Sequence, residues 1–395
     1  LATVQSIAGS PVAVYGLAEN TTYFLYEAVA PDGYLRNIDL YTPFTIAPGG
    51  STVALSVDVP TSVRLNKVDA GGTRLAGAGM ALVRGNGVGY DPAADVVAAF
   101  TSSATADHTV TGLAVGQLYT LLETSAPDGY VPATQGVRFR INELGFVVGE
   151  ADDIATPSTV TLVSIVNQPT EVIFSKRATG AGTAELPGAT LTITHSENGQ
   201  PVLDDQWITG NAPHTVRGKL LADGLTEYTF TEIGAPDGYT IAGSIVFRIQ
   251  PDGSVQVRQP DGSFAGLADN TVIMTDAPIR LRVAKVDAVS GAPLAGAVFK
   301  VVADVAGAPA ATAVTGFEAI VSGSAPVTVS GLPAGRYWLV ETLAPVGSDA
   351  SGAPVHYQLA APVPFTLTDE LLAEDALVSV TVADQPTTVT VLKLD

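Results

Sequence analysis

The sequence predicts an all-β chain: tandem β-sandwich domains in a rod-like array. Three observations carry that expectation. Val and Thr are abundant beside 40 Gly and 26 Pro, the composition of short strands broken by turns. Apolar and polar residues alternate along the runs between those turns, the period of a half-buried strand. A pattern also returns every 108 or 109 residues, too long for a solenoid unit and suited to an independent sandwich.

Lysine sets the beat, at Lys67, Lys176, Lys285 and Lys393. Each of the first three sits on an opening strand whose alternate residues are apolar: Val63-Leu65-Lys67, Val172-Phe174-Lys176 and Leu281-Val283-Lys285. A small-residue box follows, Leu75-Ala-Gly-Ala78, Leu186-Pro-Gly-Ala189 and Leu294-Ala-Gly-Ala297. Next comes a Gly-Leu turn at Gly112-Leu113, Gly224-Leu225 and Gly331-Leu332. The strand after it ends in glutamate, 56 residues beyond each lysine: Glu123, Glu232 and Glu341. Its alternate positions read Tyr119-Leu121-Glu123, Tyr228-Phe230-Glu232 and Tyr337-Leu339-Glu341. Then come Ala126-Pro-Asp-Gly-Tyr130, Ala235-Pro-Asp-Gly-Tyr239 and Ala344-Pro-Val-Gly347, the first two being strong chain-reversal signals. A closing strand ends 43 or 44 residues past the glutamate, at Asn167, Asp276 or Asp384, followed two residues later by proline.

The first 60 residues show the end of such a unit without its beginning. Glu27, Ala30-Pro-Asp-Gly-Tyr34 and Asp58-Val-Pro60 are present; the matching lysine would precede residue 1. Residues 387–395 match an opening strand, with Lys393 at the lysine position. The expected organisation is 1–60, the C-terminal part of a domain; 61–169, 170–278 and 279–386, three whole domains; and 387–395, the first strand of another. Connectors of a few residues imply that neighbours stack stiffly. Leu1-Ala-Thr-Val-Gln5 carries no basic or apolar leader, and the chain is expected to be a segment of a longer one.

The composition removes several function classes. A net charge of −20 argues against nucleic acid and suits a soluble, self-repelling surface. Without cysteine there is no disulfide scaffold, thiol nucleophile or Cys-ligated metal. No apolar run approaches a membrane span, so no membrane partner is expected. The histidines at 108, 195, 214 and 356 share no repeat position, which leaves no metal site and no cofactor expected. Pro251-Asp-Gly-Ser254 and Pro260-Asp-Gly-Ser263 read as hairpin turns rather than calcium loops.

Nine polar groups thus fall on faces that otherwise read as core. Burial disfavours charge, lowering a lysine pKa and raising a carboxyl pKa. A neutral amine is a nucleophile. A protonated glutamic acid can polarise the Asn/Asp carbonyl and carry protons to the leaving group. The reading is a covalent Lys–Asn/Asp amide, with ammonia lost at Asn167 and water at Asp276 and Asp384. A buried Lys–Glu/Asp ion pair is the competing reading. Recurrence in register favours the bond, as does the scarcity of lysine: six in the chain, four at the repeat position.

These motifs resemble the Cna protein B-type, or SpaA-like prealbumin-type, domains of Gram-positive surface proteins. The matching features are Lys67-Val-Asp69 and Lys285-Val-Asp287, the Leu-x-Gly-Ala boxes, the Tyr-x-Leu-x-Glu-x-x-Ala-Pro-x-Gly-Tyr run and the closing Asn/Asp. The resemblance implies a prealbumin-like (Ig-like) sandwich and a self-formed intramolecular isopeptide bond. It assigns Lys67, Lys176 and Lys285 as nucleophiles, Asn167, Asp276 and Asp384 as acceptors, and Glu123, Glu232 and Glu341 as catalytic acids. Three departures stand out. The second unit reads Lys176-Arg-Ala178, without the Asp. The third ends its box Val346-Gly347-Ser348, without the Tyr. Glu27, Asp58 and Lys393 form only incomplete sites. The expected role is the structural stalk of an extracellular adhesin or fibre, anchored to a cell wall, with single-turnover self-crosslinking and no turnover enzyme. A sortase-polymerised pilin is the alternative, as is a ligand-binding adhesin domain, for which the segment Asn198–Arg217 with Trp207 is the first place to look. Expected partners are neighbouring domains of the same longer chain and a host or cell-surface ligand bound through regions outside this segment.

Overall fold

The computed structural model describes residues 2–7, 9–36, 42–201, 206–349, 351–369 and 376–388. Lys393 and most of the segment 387–395 lie outside them. The described residues contain no helix, and the chain divides into two compact units, Leu1–Pro169 and Thr170–Asp395.

Unit Leu1–Pro169 holds the first whole repeat. Its opening strand Ser62–Asp69 is the centre of a three-stranded sheet, flanked by His108–Thr111 and the closing strand Leu162–Asn167. A five-stranded sheet faces it, in the order Val147–Gly149, Val137–Ile141, Tyr119–Ser125, Gly79–Arg84, Val96–Thr101. The inward residues Val63, Leu65, Leu82, Leu121, Phe139 and Ile165 fill the space between. Alternation decides this: one face of each strand is apolar, and two such faces are buried only against each other.

Residues 2–60 are different. Short pairs form, Thr22–Leu25 with Thr42–Thr45 and Tyr34–Leu35 with Val59–Pro60. Among the described residues before Thr61, no hydrophobic side chain is buried. Thr61 itself is buried; its N–H donates to Gly33 O at 2.9 Å and its hydroxyl to Leu113 O at 2.8 Å. The Pro31-Asp-Gly33 turn thereby seats on the Gly112-Leu113 turn of the repeat that follows. Gly33 has φ +85°, and a Cβ there would stand 2.7 Å from Gly112 O, so only glycine permits the approach.

Unit Thr170–Asp395 holds two more repeats of the same design. In the second, Glu171–Ala178 lies between His214–Arg217 and Thr271–Asp276; in the third, Arg280–Asp287 lies between Val327–Ser330 and Leu377–Asp384. The facing sheets are built around Thr190–His195 with Glu227–Gly234, and Val298–Val305 with Gly335–Leu343. Between these two repeats the turn contact recurs: Ile279 N–H donates to Gly238 O at 2.9 Å, and Gly238 packs on the backbone of Gly331.

The structure corrects one sequence expectation about the third repeat. Its tyrosine is displaced rather than lost. A hairpin, Val346–Ser348 with Pro354–His356, is inserted after the Ala344-Pro345 turn. Tyr357 then makes the bridge to Pro386 that Tyr130 makes to Pro169 and Tyr239 to Pro278. The following N–H closes the same bond in all three: Val131 to Gln168 O, Thr240 to Ala277 O and Gln358 to Gln385 O.

Candidate functional site

In each repeat the opening and closing strands are parallel neighbours, and the acceptor lies opposite the residue two beyond the lysine. The register pairs Ile165 with Lys67 and Asn167 with Asp69, Met274 with Lys176 and Asp276 with Ala178, and Val382 with Lys285 and Asp384 with Asp287. Residues two apart share a face, so lysine and acceptor meet side by side on the inner surface. The small-residue box holds the lysine strand from the other side. Leu75, Leu186 and Leu294 donate their N–H groups to the carbonyls of Lys67, Lys176 and Lys285, at 2.9, 2.7 and 2.9 Å.

The glutamate arrives from the opposite sheet. Glu123 pairs with Met80, Glu232 with Leu191 and Glu341 with Phe299, and directly after each glutamate the register slips by one residue. A bulge at this point turns the end of the strand and aims the carboxyl across the interior. Nothing in side-chain identity marks it.

The three groups then converge. Lys67 Nζ donates to Asn167 Oδ1, Lys176 Nζ to Asp276 Oδ1 and Lys285 Nζ to Asp384 Oδ1. The same amines stand 3.4 Å from Glu123 Oε1, 2.8 Å from Glu232 Oε2 and 2.9 Å from Glu341 Oε1, all with side chains no more than 1% exposed. Asn167 Nδ2 donates to Glu123 Oε1 at 2.8 Å. Glu123 therefore touches the amide nitrogen of Asn167, not its carbonyl oxygen as the sequence predicts. A backbone donor completes each site: Ala133 N–H to Glu123 Oε2 at 2.5 Å, Ala242 N–H to Glu232 Oε2 at 2.6 Å, Ala360 N–H to Glu341 Oε2 at 2.7 Å.

Burial shifts the titration of three of these groups. It lowers the Lys67 pKa against the pull of Glu123. It pushes the Asp276 carboxyl up to about 7, opposed by Lys176. It also raises Glu341, against the hydrogen bonds from Ala360 and Lys285. Glu232 Oε1, Asp276 Oδ2 and Asp384 Oδ2 are buried with no hydrogen-bond partner.

The Lys-x-Asp motif has a separate task. Asp69 Oδ1 accepts from the N–H groups of Gly71 and Thr73, and Asp287 Oδ1 from those of Val289 and Ser290. These are turn caps. The second repeat has Ala178 at this position, and the N–H and hydroxyl of the following Thr179 donate to Asp276 O. Ala178 therefore removes no reactive group. Tyr357 donates to Asp287 Oδ2 at 2.7 Å, and Asp287 is held down at about 2, first by the Ser290 N–H and then by this hydroxyl.

The remaining sequence candidates fall elsewhere. Glu27 and Asp58 are half-buried in a segment that contains no lysine. Trp207, considered for ligand binding, packs on Phe174 and Phe230 and stacks on His214; it belongs to the core of the second repeat. Gln250 N–H closes on Ser254 O and Gln259 N–H on Ser263 O, placing both Pro-Asp-Gly-Ser segments at hairpin turns. His108 stacks on Phe100, and among the described residues no cluster of metal ligands forms.

Three sandwiches, each with its first and last strands side by side around a buried Lys–Glu–Asn/Asp trio, define a chain of tandem prealbumin-like domains. The model of the SpaA prealbumin-like fold domain matches residues 61–153, 171–262 and 279–370, and the chain belongs to this family. Among solved structures it is similar to the Bacillus anthracis TIE protein, at 17% identity over 92% of this chain and 59% of that one, with a TM-score of 0.36. The chain therefore spans about three fifths of that relative's length. It is also similar to BcpA, the major pilin subunit of Bacillus cereus, at 18% identity over 82% of this chain and 99% of that one, TM-score 0.29. The pilus adhesin SpaC from Lactobacillus rhamnosus GG matches at 17% identity over 84% of this chain and 44% of that one, TM-score 0.31. No curated protein matches the chain.

Proposed function

We propose that the chain is the stalk region of an extracellular adhesin or surface fibre, and that each whole repeat is stapled by a self-formed isopeptide bond. The domains run 61–169, 170–278 and 279–386, with 1–60 and 387–395 as parts of neighbouring units. The observation that carries this reading is the burial of three Lys–Glu–Asn/Asp trios in mutual contact, lysine and acceptor on adjacent parallel strands and glutamate from the facing sheet.

The chemistry balances within the site. The neutral lysine Nζ attacks the acceptor Cγ, forming a C–N bond. The glutamate takes the proton that the amine sheds and delivers it to the departing group. At Asn167 the Cγ–Nδ2 bond breaks and ammonia leaves; at Asp276 and Asp384 a C–O bond breaks and water leaves. Dry packing supplies the effective concentration and keeps out competing water. Each site acts once, since its product is part of the fold.

The mechanical consequence follows from the parallel pairing. Load enters a repeat ahead of the opening strand and leaves after the closing strand. With Lys67 joined to Asn167, tension crosses from one strand to the other without passing through the chain between them. A disulfide-free surface protein gains its robustness this way.

Intact mass spectrometry of the whole chain is the test. The expected deficit is one ammonia and two waters. Glu123→Ala, Glu232→Ala and Glu341→Ala should each slow one condensation by roughly 10²–10⁴ and restore one leaving group to the mass. A mature chain at its full unreacted mass sinks the proposal.

A further inference from the structure

We propose that the backbone amides of Ala133, Ala242 and Ala360 are positioning donors for the condensation, an inference that rests on the crosslinking read above. Each N–H pins Oε2 of its glutamate, at 2.5, 2.6 and 2.7 Å. With that oxygen held, rotation of the carboxyl about its last bond is stopped. In the first repeat Oε1 then accepts from Asn167 Nδ2 at 2.8 Å and in the third it stands 2.9 Å from Lys285 Nζ, whereas in the second the held Oε2 itself stands 2.8 Å from Lys176 Nζ. These are atoms that exchange protons in the reaction. A hydrogen bond to the ionised carboxyl also favours that form, the form that can take the proton the amine sheds.

The donors are placed by the closing strand. Each alanine lies three residues after a tyrosine, Tyr130, Tyr239 or Tyr357, that bridges to Pro169, Pro278 or Pro386. The residue after each tyrosine bonds the carbonyl just past the acceptor: Val131 to Gln168, Thr240 to Ala277, Gln358 to Gln385. Docking of the closing strand thus brings in the acceptor and the donor loop together. The third repeat tests this by its own construction. Its inserted hairpin stretches the glutamate-to-donor separation from 10 residues to 19, yet the same contact closes. The reactive geometry is therefore completed only when the fold is complete, which protects the lysine from condensing with a wrong partner.

The first repeat suits the experiment because it alone loses ammonia, so its state is read separately from the other two. The full chain is made in a cell-free system and sampled over time by intact mass, as wild type, Ala133→Gly and Ala133→Pro. Glycine keeps the N–H and should match wild type. Proline removes it and should slow ammonia loss by about tenfold to a hundredfold, the worth of one charge-assisted hydrogen bond. Full activity in the glycine variant, which keeps the donor while losing the methyl group, is a result that a packing defect at this position would not give. Hydrogen exchange across 62–69 and 162–167 reports whether the proline variant is folded. Where it is not, a backbone ester at 133 removes the hydrogen alone and decides the matter. A folded proline or ester variant with the wild-type rate overturns the donor role. A wild-type chain that never loses ammonia overturns the crosslink, and the donor role with it.

Discussion

Replacing Glu232 by glutamine isolates the contribution of one staple. Gln keeps the volume of the side chain and an oxygen to accept from the Ala242 N–H, a bond of 2.6 Å in the native site. It cannot relay a proton, so Lys176 and Asp276 stay unjoined, as a buried pair within hydrogen-bonding reach. The crosslink would have closed a loop of 100 residues. On the chain-entropy treatment used for disulfides, a loop of that length is worth about 4.7 kcal/mol through restriction of the unfolded state. A domain of 109 residues unfolds with an entropy near 0.23 kcal/mol per degree at about 2.1 cal/mol/K per residue. The transition of the second repeat should therefore fall by about 20 °C. Differential scanning calorimetry of the full chain reads this directly, with the other two repeats as internal references and intact mass confirming that one water fewer is lost. A variant that has lost this bond by mass, but whose transition moves by less than a quarter of the expected drop, would refute the entropic reasoning.

Other outcomes are equally specific. Only a neutral Asp276 carboxyl has a hydroxyl to lose, and burial holds its pKa at about 7; the neutral form is complete below the ordinary carboxylate range and is lost as pH rises through that value. Condensation in the second repeat should thus slow about tenfold per pH unit above about 7, while Asn167, which does not titrate, imposes no such fall on the first; timed intact mass at several pH values checks it, and equal slopes would contradict it. The same raised carboxyl gives the unreacted second repeat a stability term that is present at acid pH and fades as pH passes about 7. Asn167→Asp should still close the first staple, with a mass deficit of three waters and no ammonia; an unlinked first repeat would show that the acceptor's nitrogen is essential. Gly238→Ala places a Cβ 2.9 Å from Gly331 Cα at φ +83°, and should cost about 1–3 kcal/mol in calorimetry while leaving all three mass losses intact.

Most of the trio was legible because lysine, glutamate and Asn/Asp are rare on apolar strand faces and return at one period. Lys67, Lys176 and Lys285 are at most 2% exposed, as alternation with Val63, Phe174 and Val283 requires. The donors at Ala133, Ala242 and Ala360 were not legible, since a backbone N–H carries no side-chain signature. A Tyr-x-x-Ala spacing runs through all three repeats and is a usable signal in retrospect, although the inserted hairpin hid it in the third. The Lys-x-Asp aspartate belongs to the resemblance and not to the trio: Asp69 and Asp287 cap turns, and the second repeat has Ala178 in their place.

By itself the sequence determined which side chains are buried and how often the arrangement returns, because a strand presents alternate residues to one face wherever it lies. Only the tertiary structure decided that those side chains touch. Lysine and acceptor are about a hundred residues apart, and their meeting depends on a parallel register in which a one-residue slip would send one of them to the opposite face. The glutamate comes from the other sheet, aimed by a bulge and pinned by a loop. Such contacts are set by how whole sheets pack, and no local run of residues encodes them.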